Sequence, residues 1–303
     1  MSNQNIEADY RQTVTDVGQT RFLPNTSIEI ISEPRRDKPI EHVVFDFDGT
    51  LSLVREGWPE VMVPMMVEVL QETGTDETPE QLYDIAYDFV MKLNGKQTIY
   101  QMIRLAEEVT ARGGTPLEPL AYKERYHDLL MQRIHRRRDA LRDGTTDPAE
   151  MLVPHTFALL EGLKARGAKM YLASGTDENY VKEETKLLTL DRYFGDHVYG
   201  AQDDYKQFSK AMVIQRILKE NAVDGQALLG FGDGYVEIQN VKEFGGTAVA
   251  VASDEAGRSG KPDPWKRDRL IGAGAEVVIP DYRDFRPLLD YLWNQSGSRP
   301  KNV

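Results

Sequence analysis

Three short segments of this 303-residue chain place acidic or hydroxyl side chains where an apolar run ends. The first is FDFDGT, Phe45 to Thr50, with Asp46 and Asp48 two residues apart. If the run is a strand, alternation puts both carboxylates on one side and Phe47 on the other. Two carboxylates so close repel each other unless a cation or a proton intervenes. A plain Asp-Gly-Thr turn explains how the chain leaves the strand, but it leaves Asp46 unexplained.

The second segment is Ser174, Gly175 and Thr176, followed by Asp177 and Glu178 at the start of a helical pattern. A hydroxyl and exposed N–H groups at a helix N-terminus suit a phosphate oxygen. The plainer alternative is an N-cap by Thr176 or Asp177. The third is GDGYVE, in which Glu237 follows Asp233 by one helical turn and faces the same way. Magnesium takes hard oxygen ligands and keeps several waters, so one or two carboxylates plus a substrate phosphate suffice to hold it. Here too an N-cap, by Asp233, is the alternative. Caps do not explain an acidic pair, a hydroxyl and a second acidic pair at three successive strand ends.

The elements that must position these groups are legible. Short apolar, β-branched runs recur at HVVFDF, AKMYLAS, ALLGFG, TAVAVAS and EVVIP, and each reads as a buried strand. Between them lie the helical patterns HTFALLEGLKARG, DENYVKEETKLL, SKAMVIQRILKEN and YVEIQNVKEFGG. The alternation predicts an α/β fold, a doubly wound (Rossmann-like) parallel sheet whose ligands bind at the carboxyl ends of the strands. It is interrupted once. From Trp58 to Gly144 four segments carry apolar residues at three- and four-residue spacing, which predicts an all-helical domain inserted after the first strand. The expected organisation is an N-terminal extension over 1–40, a core of 41–54 and 152–296, a helical insert over 55–151, and a tail over 297–303. The extension holds one β-like run, Ser27 to Ser32, and a turn or linker from Pro34 to Pro39.

Composition narrows the function classes. The chain carries 37 basic and 49 acidic residues, a net charge of −12, which disfavours general nucleic-acid binding. No apolar run is long enough to span a bilayer, and the N-terminus does not read as a secretory signal. The absence of cysteine excludes disulfides, thiolate metal sites and cysteine nucleophiles. A cytoplasmic protein without membrane or nucleic-acid partners is expected, and the oligomeric state is open. The five histidines, at 42, 127, 135, 155 and 197, lack metal-ligand spacing. The basic run His135 to Arg142 reads as a solvated helix face.

From Glu41 to Leu292 the chain resembles the haloacid dehalogenase superfamily of hydrolases, in its phosphatase branch. The first motif is DFDGT at Asp46 to Thr50, the second the hydroxyl of Ser174, and the fourth GDGYVE with Asp233 and Glu237. Two lysines are candidates for the third: Lys210, which opens a helix 23 residues before Asp233, and Lys206 just outside that helix. KPDP, Lys261 to Pro264, is similar to the lysine motif of other members but follows the fourth motif and is out of order. Glu237 stands where Asp is more frequent. The insert occupies the first cap position, where helical caps are common.

The resemblance implies a magnesium-dependent phosphatase. Asp46 would be the nucleophile and Asp48 the acid and base. Ser174, Gly175, Thr176 and Lys210 would hold the phosphoryl group. Magnesium would be held by Asp46, the main-chain carbonyl of Asp48, and Asp233, with Glu237 on its waters. An Asp two residues after the nucleophile implies an alkoxide leaving group, since dehalogenases and phosphonate-cleaving members lack it and transport ATPases carry Thr there. The substrate would be a small phosphorylated metabolite, a sugar phosphate first and a nucleotide or phosphoglycolate-like ester next. Arg55, Glu56, Asn94, Lys96 and Gln97 of the cap are candidate substrate contacts, each with an alternative as a solvated loop residue. A phosphomutase and a non-catalytic phosphometabolite-binding domain are the other readings.

Overall fold

The computed structural model describes residues 11–14, 20–34, 37–202 and 204–294. The expected tail, much of the first nineteen residues and part of the Pro34 to Pro39 linker lie outside these.

The central strand is β3 (His42–Phe45). It runs parallel to β4 (Lys169–Asp177) on one side and to β6 (Leu228–Gly232) on the other. The parallel sheet continues through β5 (Val198–Ala201) beyond β4, and through β7 (Thr247–Val251) and β8 (Val277–Ile279) beyond β6. β1 (Arg21–Phe22) and β2 (Glu29–Ile30) pair antiparallel, and β2 pairs antiparallel with β8, completing an eight-stranded order β1-β2-β8-β7-β6-β3-β4-β5. The β-like run from Ser27 thus joins the sheet edge. Arg267 of the core fixes it there, donating from Nε to Glu29 Oε2 at 2.7 Å.

Helices cover both faces, so β3 is buried throughout and its alternation sorts its side chains. Val43 and Phe45 join one apolar cluster with Leu159, Val181 and Leu289, and Val44 joins the other with Ile214, Val241 and Leu270. These residues come from α5 (Thr156–Ala165), α6 (Glu178–Leu187) and α11 (Phe285–Asn294) on the first face. Those of the second face come from α8 (Lys210–Glu220), α9 (Tyr235–Glu243) and α10 (Pro264–Gly272). The four-residue α7 (Asp191–Phe194) adds Phe194, whose ring meets Phe45 edge-on at 6.0 Å. The order in which strands are added to the sheet reverses at β3, whose neighbours are β4 and β6, and the crevice at its carboxyl end is where such sheets bind ligands.

Between β3 and β4 stand α1 (Pro59–Gln71), α2 (Pro79–Lys92), α3 (Thr98–Ala111) and α4 (Pro119–Arg142). α1 packs against the other three, and Met62, Val63, Met65, Met66, Val67, Val69 and Leu70 are all buried. A helix apolar on most sides has to be largely covered, and this one leaves only the stripe Glu60, Pro64, Glu68 and Gln71 exposed to solvent. The two chain crossings that join this helical layer to the sheet lie side by side: Leu53 N donates to Met151 O and Val153 N to Leu51 O, each at 2.9 Å.

Candidate active site

β3 ends one residue before Asp46, whose N–H still donates to Phe231 O at 3.0 Å. The backbone then turns tightly, with Leu51 N and Ser52 N both donating to Phe47 O, at 2.8 and 2.9 Å. The turn requires glycine at position 49: φ is +71°, and a Cβ there would lie 2.2 Å from Asp233 Oδ2. Asp233 can come against the first motif only because Gly49 leaves that space. Thr50 Oγ1 donates to Asp233 Oδ1 at 3.3 Å, and Tyr282 Oη holds Thr50 O at 2.8 Å.

One cavity at the crevice is lined by Asp46, Asp48, Ser174, Gly175, Thr176, Lys210 and Asp233. Lys210 Nζ donates to Asp46 Oδ1 at 2.8 Å and also to Glu237. Lys206 is exposed, with its ammonium 5.8 Å from the ring of Tyr205. The geometry therefore separates the two lysine candidates. Thr176 Oγ1 donates to Asp48 Oδ2 at 2.8 Å, while Asp48 Oδ1 accepts no hydrogen bond and lies 3.8 Å from Arg55 Nε. Ser174 is buried within β4, which runs on to Asp177, and its Oγ accepts from Thr176 N at 3.1 Å.

The N-cap alternatives do not account for these acids. α6 begins after Asp177 and α9 after Gly234, and neither has a side-chain cap. Asp177 instead reaches the helical layer, accepting from Lys123 Nζ at 2.5 Å and lying 3.5 Å from His127 Nδ1. Asp233 accepts from Thr50 and from Lys266.

Burial raises the pKa of Asp46; Lys210 opposes the rise and Asp233 adds to it. Asp48 is pushed up to about 7 by burial, with Arg55 and the Thr176 hydrogen bond opposing and Glu184 and Asp46 adding. The two neighbouring carboxylates thus differ in partners, Asp46 facing an ammonium and Asp48 a hydroxyl.

Of the candidate contacts from the helical layer, Arg55, Asn94 and Lys96 line the cavity. Arg55 is buried and fork-bonded to Glu184, Nε to Oε2 at 3.1 Å and Nη2 to Oε1 at 2.9 Å. Glu56 does not reach the cavity: Arg137 Nη2 holds its Oε2 at 2.7 Å. Gln97 donates to the carbonyls of Tyr205 and Phe208, at 3.1 and 2.8 Å, and so ties the helical layer to the core. Glu237 faces Lys210 and does not line this cavity. The loop from Asn94 to Lys96 lies tightly on the core. A Cβ on Gly175 would come within 2.9 Å of Lys96 O, and one on Gly234 within 2.9 Å of Gly95 Cα. Of the basic run His135 to Arg142, His135, Arg136 and Arg142 are exposed, as a solvated helix face requires, while Arg137 holds Val54 O and Glu56 and Arg138 pairs with Glu183.

Sequence reading missed Glu255, Lys266, Trp58 and Tyr126. Glu255 sits just after β7, and the strand-end rule that located the other acids applies to it as well. It lines the cavity and accepts from Lys266 Nζ at 2.6 Å. The two aromatic residues reach the cavity from the helical layer.

A family model of haloacid dehalogenase-like hydrolases matches residues 40–245, spanning all four motif segments. The chain belongs to this family. Solved structures share the fold of this haloacid dehalogenase-like hydrolase at low identity. A predicted phosphatase from Clostridium acetobutylicum is 17% identical with a TM-score of 0.55, over 84% of this chain and 100% of that one. A predicted phosphoglycolate phosphatase from Haemophilus somnus 129PT is 14% identical with a TM-score of 0.54, over 82% and 98%. A β-phosphoglucomutase from Clostridium difficile is 14% identical with a TM-score of 0.54, over 84% and 97%. No curated protein matches the chain at a significant level. Among the described residues no helix is long and apolar enough to cross a membrane.

Proposed function

We propose that this hydrolase is a magnesium-dependent phosphatase that dephosphorylates a small phosphorylated metabolite, a sugar phosphate by preference, through an aspartyl-phosphate on Asp46. The observation that carries the reading is the second carboxylate. Thr176 Oγ1 fixes Asp48 at 2.8 Å in the same cavity as Asp46. A site that only bound phosphate would gain nothing from a second acid aimed into it, whereas an alkoxide leaving group needs a proton.

In the first step an Asp46 oxygen bonds to phosphorus as the ester P–O bond breaks, and Asp48 gives its proton to the departing alkoxide. In the second, water attacks the same phosphorus, Asp48 takes a proton from it, and the Asp46 carboxylate is released with inorganic phosphate. Lys210 meets the phosphoryl oxygens as an ammonium, oriented by Glu237, while Ser174 and the N–H groups of Gly175 and Thr176 complete the cradle. The donor set fits magnesium. Among the described residues no three acidic or histidine side chains form a cage, but two carboxylates in one cavity, Asp46 and Asp233, close enough for the charge of one to raise the pKa of the other, are what a water-rich ion requires. Asp46, Asp233 and the Asp48 carbonyl would hold it, and when bound it offsets repulsion between the anionic nucleophile and the anionic phosphate.

The helical insert over 55–151 serves as the cap, closing the cavity with Trp58, Met62, Asn94, Lys96, Thr98 and Tyr126. Amide, hydroxyl and aromatic groups of this kind suit a hydroxylated substrate. The test is a panel of phosphorylated metabolites incubated with magnesium. Inorganic phosphate should accumulate in step with substrate loss; an isomer formed only in the presence of a bisphosphate activator would indicate a mutase instead.

A further inference from the structure

The out-of-order segment KPDP is the entry to α10. Asp263 is the N-cap of that helix and accepts from Lys266 N at 2.8 Å, and Pro264 stands in its first turn. The fixed first turn sends the Lys266 side chain, 8% exposed, toward the fourth motif. Its Nζ donates to Asp233 Oδ2 at 2.8 Å, Glu255 Oε1 at 2.6 Å and Ser253 Oγ at 3.1 Å. An ammonium has three hydrogens, and each has a partner here. Ser253 Oγ in turn donates to Gly49 O at 2.6 Å, which links the lysine to the nucleophile turn.

Asp233 is the carboxylate that the proposed function assigns to magnesium. Its Oδ1 accepts from Thr50 and its Oδ2 from Lys266, so a divalent cation approaching it meets an ammonium already seated. Ammonium and dication repel each other across a shared carboxylate, the more strongly because the pair is buried. Loss of the lysine would leave Asp233 and Glu255 facing each other without a cation.

We propose that Lys266 is a tethered counter-ion of the metal seat: its ammonium holds Asp233 while no divalent cation is bound, and withdraws to Glu255 and Ser253 when one arrives. This inference rests on the reading of Asp233 as a metal ligand. Its consequence is a lowered affinity, because each binding event must first displace the lysine.

The test is calorimetric titration of wild type, Lys266→Met and Lys266→Gln with magnesium chloride, together with melting midpoints with and without the ion. Both variants should bind magnesium at least about tenfold more tightly, an ordinary size for two ligands competing at one group. They should also melt lower than wild type without the ion and gain more from it. Unchanged or weaker binding in either folded variant overturns the proposal. Should the variants fold poorly, a wild-type crystal grown in magnesium chloride decides: Nζ should have left Asp233 Oδ2, and a bound ion with that hydrogen bond intact overturns the proposal. If wild type and both variants bind no magnesium at all, the assignment of Asp233 to a metal is itself wrong, and this inference falls with it.

Discussion

Glu184 is fully buried beneath the cap, and its charge is balanced by the Arg55 fork at 2.9 and 3.1 Å, with Arg138 Nε a further 3.8 Å away. Glu184→Gln keeps the shape and removes the charge, leaving the Arg55 guanidinium buried beside Asp48 alone. Breaking a buried ion pair by neutralising one partner costs about 3–5 kcal/mol. Unfolding entropy near 2.1 cal/mol/K per residue amounts to roughly 0.6 kcal/mol per degree for a chain of this length. The expected loss is therefore about 5–8 °C in melting midpoint, read by scanning calorimetry. The double variant Arg55→Met, Glu184→Met removes both charges and should lose less than Glu184→Gln, because neither partner of the fork is left buried without the other. A Glu184→Gln midpoint within about 1 °C of wild type would refute the reasoning, and so would additive losses across the cycle.

Gly49→Ala should nearly abolish turnover while far-UV circular dichroism stays native, because the new Cβ would overlap Asp233 Oδ2 and φ is positive. Lys210→Met should lower kcat by about 10²–10³, the usual cost of losing one preorganised donor to a transition-state anion, measured as phosphate release. His127 carries a pH signature. Burial lowers its pKa to about 4 against the opposing pull of Asp177, so as pH falls below about 6.5 the unfolded imidazole takes up a proton before the folded one does. Stability present above pH 6.5 is then lost as pH falls toward 4, about 2 kcal/mol of it by pH 5, and urea midpoints of His127→Gln should lack this component. In Asp48→Asn, p-nitrophenyl phosphate should still phosphorylate the protein, since its leaving group needs no proton, but the phosphoenzyme should accumulate for want of a base. A quench-flow assay measures the burst.

The candidate site cluster was legible because each group comes directly after a short apolar run, so strand alternation and the strand-end rule together place Asp46, Asp48, Ser174 and Asp233 without tertiary knowledge. Lys210 was also within reach, as the first residue of an evident amphipathic helix. What the sequence hid depends on side-chain reach across the fold. Helical spacing puts Glu237 beside Asp233, but the contact it makes is with a lysine 27 residues earlier. Lys266 enters the site from a helix whose local signal is a cap. The four-residue β5 has polar flanks and a register shift against β4, so it carries little periodicity. β1 and β2 are two residues each; β1 carries no apolar pattern, whereas β2 lies in the β-like run from Ser27, whose Ile28 and Ile30 are buried in the core beside β8. The cap's candidate contacts divided for the same reason: Asn94 and Lys96 face the cavity, while Glu56 and Gln97 are held by backbone and side-chain partners that only the packed structure supplies.

Asp46 is the residue proposed to carry the phosphoryl group. Wild type and Asp46→Asn should be mixed with p-nitrophenyl phosphate and magnesium, quenched in acid within the first turnover, and the peptide containing FDFDGT analysed by mass spectrometry. A phosphoryl group should appear on Asp46 in wild type, with none and no phosphate release in the variant. Wild-type turnover by Asp46→Asn, or a phosphoryl group found on another residue, would contradict that assignment.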